Sequence, residues 1–96
     1  MCGIAGFFPG PNGYKNLDHK KYLLKMSEAI IHRGPNDSGT WFDEETGIGL
    51  AHQRLSIIDT SDAGHQPMDS SSGNFRIVFN GEVYNHIEIR KEIESI

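Results

Sequence analysis

A chain of 96 residues with 36% hydrophobic side chains has the apolar content of a soluble globular protein and the length for one small core, which excludes disorder, fibres and two domains. Nine basic against thirteen acidic side chains leave a net charge of −4, so no basic field awaits a phosphate backbone, and this argues against nucleic acid as a partner. A single Cys excludes an internal disulfide framework and a thiolate-built zinc site, and suits a reducing, cytoplasmic setting.

Ile4-Ala5-Gly6-Phe7-Phe8 predicts a short buried strand, closed by the turn-rich Pro9-Gly10-Pro11-Asn12-Gly13, with Cys2 at the strand's beginning. Behind the N-cap Asp18, residues Tyr22, Leu23, Met26 and Ile30 recur on one helical face while Lys21, Lys25 and Glu28 fall elsewhere, which predicts an amphipathic helix. It stops near His32-Arg33-Gly34-Pro35, because a proline pushes the preceding residue out of the α region. Thr40-Trp41-Phe42 and residues 47–52 flank the acidic turn Asp43-Glu44-Glu45-Thr46 and read as an antiparallel hairpin, which Arg54-Leu55-Ser56-Ile57-Ile58 extends or follows. Residues 59–66 are a loop, Ser70-Ser71-Ser72-Gly73 a turn, and Phe75-Arg76-Ile77-Val78-Phe79 a strand that Asn80-Gly81 ends as a turn dipeptide. Asn85 and Glu88 form a capping box for a second helix from about His86, with Ile89, Ile93 and Ile96 on one face. That helix carries no C-terminal signal, so the chain reads as cut in mid-element and residues 1–96 as one incomplete domain. Trp41 and the five Phe are assigned to the core. No apolar run approaches the roughly 20 residues of a membrane span, and no signal peptide precedes residue 9.

Chemistry concentrates at Cys2. Removal of Met1 would place a free α-amine beside the thiol, and an α-amine titrates near roughly pH 8 whereas Lys titrates near roughly 10.4, so only the former accepts protons well at neutrality. One residue can then supply both nucleophile and base, as in N-terminal Thr enzymes. On position alone Cys2 is more often a small strand residue, and an acylated Cys is a third reading that lacks its signal sequence. The histidines, His19, His32, His52, His65 and His86, lack the short spacings of metal sites, and no metal is predicted.

Four blocks change the weight on Cys2: Met1-Cys2-Gly3-Ile4-Ala5-Gly6, His32-Arg33-Gly34-Pro35, Arg54-Leu55-Ser56-Ile57-Ile58-Asp59 and Asn80-Gly81-Glu82-Val83-Tyr84-Asn85, in this order. They resemble the N-terminal glutaminase domain of glutamine-dependent asparagine synthetases, within the class II glutamine amidotransferases, an N-terminal-nucleophile hydrolase family. The resemblance spans nearly the whole chain and implies an α+β fold, part of a four-layer αββα sandwich with antiparallel sheets. It also implies that residues 1–96 are the first part of a longer domain, and that a synthetase domain binding ATP and Mg²⁺ and acting on aspartate lies elsewhere. No cofactor is implied for these 96 residues, which alone are expected to be inactive. Half a sandwich would leave an apolar face or edge exposed, inviting homo-oligomers.

Residue by residue, the resemblance makes Cys2 Sγ the nucleophile on the glutamine carboxamide, giving a glutamyl thioester and ammonia. Asn80, through its side-chain amide, and Gly81, through its N–H, would hold the oxyanion. Arg54 would clamp the substrate α-carboxylate, Glu82 would help receive the α-ammonium, and the backbone of Leu55, Ser56, Ile57 and Ile58 would line the pocket. His32-Arg33-Gly34-Pro35 would hold the site's shape. Two further readings stay open: a non-catalytic glutamine-binding or partner-packing module, and an amidotransferase for a sugar or another carboxylate.

Overall fold

The structure, a computed structural model, describes residues 1–9, 18–56 and 61–96. Among them the chain runs β1 (Gly3–Phe7), α1 (His19–Ala29), a 3-10 turn (Ile31–Arg33), β2 (Asp37–Phe42), β3 (Gly49–Arg54), a second 3-10 turn (Asp62–Gly64), β4 (Met68–Asp69), β5 (Arg76–Ile77) and α2 (His86–Glu94). The class is α+β with antiparallel sheets, as expected. The predicted turn after Pro9 and the segment Ile57-Ile58-Asp59 lie outside the described residues. No described helix is long and apolar enough to cross a membrane.

β3 is the central strand of the order β1-β3-β2. Its register sets Gly3 opposite Gln53 on one side and Ser38 opposite Gln53 on the other, so period-2 alternation sorts all three strands into two common faces. Ala51 and Gln53 face α1, and His52 and Arg54 face away. Asp18 caps α1 as predicted, accepting the Lys21 N–H at 3.2 Å. The helix buries Leu23 and Ser27 against the sheet. Gln53 Nε2 donates to the Ser27 carbonyl at 3.2 Å and to its hydroxyl oxygen at 2.6 Å. At the other end the rings of Phe7, His19 and Phe42 lie 5.5 to 6.2 Å apart.

The opposite face of β2 and β3 receives residues 62–66 and the β4–β5 hairpin. Gly39 permits this approach: a Cβ there would stand 2.9 Å from His65 Nε2 and 3.0 Å from the Gln66 carbonyl carbon. Arg76, bidentate on Asp69, places its guanidinium 4.4 Å from the Trp41 ring centre, an arrangement that gains from the ring quadrupole. One helix thus packs on one face of the three-stranded sheet, and the short β4–β5 pair reaches the other face through Arg76 over Trp41.

Several expectations are corrected. β1 is half exposed: Gly3 is buried and Ile4 is 49% exposed, because α1 covers only one face. The aromatic residues do not make a buried core: Phe7, Trp41 and Phe42 are half-buried and Phe8 and Phe75 are each 75% exposed, while Leu23 and Ala51 are buried. α1 turns Ser27 inward rather than Tyr22, since the sheet offers it polar Gln53. The expected strand at 75–79 shrinks to Arg76–Ile77 because its partner β4 has two residues. Asn80-Gly81 follows the strand as a bend at Gly81 and not as a hydrogen-bonded turn, and among the described glycines positive φ occurs at Gly47 and Gly73. Asn85 makes no side-chain cap, since its φ of −100° and ψ of 32° leave the extended region a capping box requires. The helix starts at His86 as predicted, and Ile89 and Ile93 on its apolar face are exposed.

Candidate active site

Cys2 immediately precedes β1, and the register carries it to the position beside Arg54 on the face of β3 away from α1. Its Sγ accepts the Leu55 N–H at 3.3 Å and lies 3.7 Å from the Leu55 carbonyl oxygen. The Cys2 carbonyl is held by Arg33 Nε at 3.2 Å. This gives the His32-Arg33-Gly34-Pro35 block a contact with the site: it positions the backbone of Cys2, and His32 is exposed.

Gly34 presses against the end of β3. A Cβ at this position would fall 2.5 Å from the carbonyl carbons of both Gln53 and Arg54, and the Asn36 N–H donates to the Arg54 carbonyl at 3.0 Å. Asn36 Oδ1 accepts the Ser56 N–H at 3.0 Å. The loop after α1 is thereby stitched to the strand that carries Arg54.

A cavity of about 540 Å³ opens at this end of the sheet, lined among others by Met1, Cys2, Arg54, Leu55, Asn80, Gly81 and Glu82. Six of the nine expected site residues therefore meet around one volume. Ser56 is half-buried beside it and does not line it, and Ile57 and Ile58 lie outside the described residues. Arg54 is buried to 7% exposure, and its Nη1 donates to the Ser61 carbonyl at 2.6 Å. A Cβ on Gly64 would stand 2.5 Å from Arg54 Cζ, so the bare glycine leaves room for the guanidinium.

Two residues of the site carried no motif signal. His52 is buried on β3, on Arg54's face, and Gln66 lines the cavity. His52 Nε2 lies 3.2 Å from the Phe79 carbonyl oxygen; a carbonyl only accepts, so Nε2 carries the proton. Burial pushes the His52 pKa below the usual histidine range; the Phe79 carbonyl opposes this and the Arg54 charge adds to it. Gln66 Oε1 accepts the Phe79 N–H at 2.6 Å. The available signal was parity: His52 and Arg54 share one face of a strand.

Sequence comparison decides among chemistries that such a cavity allows. The model of the glutamine amidotransferase domain family matches residues 1–96. The chain belongs to that family. It is 40% identical over 95 residues to asparagine synthetase [glutamine-hydrolyzing] 1 of Bacillus subtilis, covering 99% of this chain and 15% of that protein. To asparagine synthetase [glutamine-hydrolyzing] 1 of Saccharomyces cerevisiae it is 38% identical over 92 residues, covering 96% and 15%. To amidase chry2 of Gibberella zeae it is 36% identical over 100 residues, covering 97% and 15%. The chain therefore spans about 15% of the length of these relatives.

Proposed function

We propose that this chain is the first part of a glutamine-hydrolysing domain in which Cys2 is the nucleophile. The observation that supports this best is the convergence of Cys2, Arg54, Asn80, Gly81 and Glu82, from three distant stretches of sequence, on one cavity. Glutamine would enter with its α-carboxylate on Arg54, whose planar guanidinium offers two parallel donors, and its α-ammonium toward Glu82. The side-chain carboxamide then faces Cys2. With Met1 removed, the Cys2 α-amine accepts the thiol proton as Sγ attacks the carboxamide carbon, and the C–N bond breaks as the same amine returns a proton to departing ammonia. The product is a γ-glutamyl thioester, which water hydrolyses to glutamate. Asn80 and Gly81 stabilise the oxyanion of each tetrahedral intermediate, where one donor is worth about 3 to 4 kcal/mol.

Met1 itself lines the cavity, and while it is attached the nitrogen of Cys2 is an amide without basicity. Its removal belongs to the reading. In the whole protein the ammonia would serve an ATP-dependent amidation of aspartate, with ATP and Mg²⁺ bound outside these residues, a reading the names of the bacterial and yeast relatives support. The amidase among the relatives leaves a different acceptor as the competing assignment. Replacing Cys2 with Ala should abolish glutamine-dependent ammonia release in the whole protein. A Cys2→Ala variant as fast as the parent would remove the nucleophile assignment.

A further inference from the structure

The candidate oxyanion donors sit on backbone that no strand ladder fixes. β5 ends at Ile77, so Phe79, immediately before Asn80 and Gly81, lies beyond the last paired residue. A peptide in that position would ordinarily bond to water and move with its loop. Here both of Phe79's backbone groups are taken by side chains: its N–H donates to Gln66 Oε1 at 2.6 Å and its carbonyl accepts from His52 Nε2 at 3.2 Å. The carbonyl belongs to the same peptide plane as the Asn80 N–H, so fixing it fixes the direction in which Asn80 leaves.

Both clamping residues are themselves anchored. His52 is 1% exposed in the middle of the three-stranded sheet, two residues from Arg54 on the same face. Gln66 stands on the segment that packs against Gly39, where its own carbonyl carbon comes within 3.0 Å of a Cβ position. The imidazole costs more to bury than an apolar ring, because among the described residues its Nδ1 has no hydrogen-bond partner. A phenyl ring would fill that space without this cost, but could not donate to Phe79. The arrangement ties the Asn80-Gly81 segment to the rigid strand that also carries Arg54.

We propose that His52 and Gln66 are positioning residues for glutamine hydrolysis, gripping the carbonyl and the N–H of Phe79 so that Asn80 and Gly81 stand where the oxyanion forms. The inference rests on the reading of Asn80 and Gly81 as oxyanion donors. The two bonds act on Phe79 and not on Arg54 or Glu82, so ground-state binding through Arg54 and Glu82 stays intact when the grip is lost. An oxyanion exists only in the transition state and the intermediates beside it, so the loss falls on kcat.

The experiment uses the whole natural protein with a confirmed free Cys2 amine, measuring glutamine-dependent ammonia release and the thermal unfolding transition of each variant. Gln66→Met and His52→Phe remove the acceptor and the donor at similar volume and should each lower kcat about 10- to 100-fold with KM for glutamine within about twofold. Gln66→Glu keeps an acceptor and His52→Gln keeps a donor at the Nε2 position, and both should recover most of the rate. If His52→Phe does not fold, Gln66→Asn, which shortens the acceptor by one carbon, carries the same kcat-against-KM split. An active parent with unmoved variants, or variants that raise KM at constant kcat, or conservative replacements as slow as the others, would overturn the inference alone. A parent that releases no ammonia from glutamine overturns the functional reading and the inference with it.

Discussion

Replacing Gly34 with Ala tests whether the loop after α1 sets the site's geometry. The φ of Gly34 is −157°, extended backbone that alanine adopts freely, so the substitution brings no conformational strain and isolates the question of space. The added carbon would stand 2.5 Å from the carbonyl carbons of Gln53 and Arg54, where carbons normally approach to about 3.5 Å. Loop and strand must separate by about 1 Å, and since the obstacle is backbone, no rotamer change relieves it. Overpacking of this kind costs about 2 to 3 kcal/mol, which lowers a urea midpoint by about 1 to 2 M at the slope of a small domain. The same displacement moves Arg54 and Leu55 away from Cys2, and about 1 Å of misplacement costs on the order of 100-fold in rate. Urea unfolding and glutamine-dependent ammonia release of the whole protein read both effects. Gly73→Ala supplies the contrast: its φ of +76° penalises alanine and nothing lies within 4 Å of the new carbon, so stability should fall by about 1 to 2 kcal/mol with activity unchanged. A Gly34→Ala protein with parental midpoint and parental rate would show that the contact between loop and β3 does not hold the site.

Arg54→Lys should raise KM for glutamine with kcat nearly preserved, because charge remains and the bidentate fork is lost; lowered kcat at constant KM would refute the carboxylate clamp. Gly64→Ala, which crowds Arg54 Cζ at 2.5 Å, should move KM in the same direction by displacing the guanidinium, and an unchanged KM would show that Arg54 binds elsewhere. His52 has a folded-state pKa below its ordinary 6.5, so the stability that depends on its neutral form is full above about pH 6.5 and lost as pH falls through the lowered value. Unfolding midpoints should therefore decline between about pH 6.5 and that value, more steeply in the parent than in His52→Gln; equal slopes would show that the acid limb does not come from His52. Cys2→Ser should keep glutamine binding and slow hydrolysis, the hydroxyl being the weaker nucleophile at neutral pH, and lost binding would mark Cys2 as a packing residue instead.

What the sequence made legible is what short-range chemistry dictates. Asp18 caps α1, the proline at 35 follows the helix end, and the acidic segment between Phe42 and Gly49 turns a hairpin, its Asp43 carboxylate accepting the Thr46 hydroxyl at 2.7 Å. The motif residues Cys2, Arg54, Asn80 and Gly81 line one cavity. Misjudged were the features that depend on what covers what. Ile4, Phe8 and Phe75 have the side chains of core residues, and all are exposed, because apolar character says that a face can be buried and not that a layer exists to bury it. The reverse holds for Ser27, His52, Gln53 and Arg54, four polar residues that are buried because each finds a partner or a function across the fold. His52 and Gln66 escaped notice for the same reason: their importance lies in two bonds to the backbone of residue 79, 27 and 13 positions away.

The register of β1 on β3 links these parts. A slip of one residue would turn Cys2 from the cavity face to the face covered by α1 and put either Cys2 or Ile4 where Gly3 now stands. That place is tight: even a methyl carbon on Gly3 would lie 3.1 Å from Ile30 Cδ1 and 3.3 Å from Arg33 Cβ, so a Cys or Ile side chain there would push both neighbours aside. Gln53 opposite is held by two hydrogen bonds to Ser27, which a shifted β3 would leave buried and broken. Arg33 adds a third constraint by donating to the Cys2 carbonyl. Gly3 therefore does for the nucleophile what Gly34 does for Arg54: the lack of a side chain at each position lets a neighbouring element pack close, Ile30 and Arg33 on Gly3 and the end of β3 on Gly34. The thiol reaches the Leu55 N–H only in that pairing.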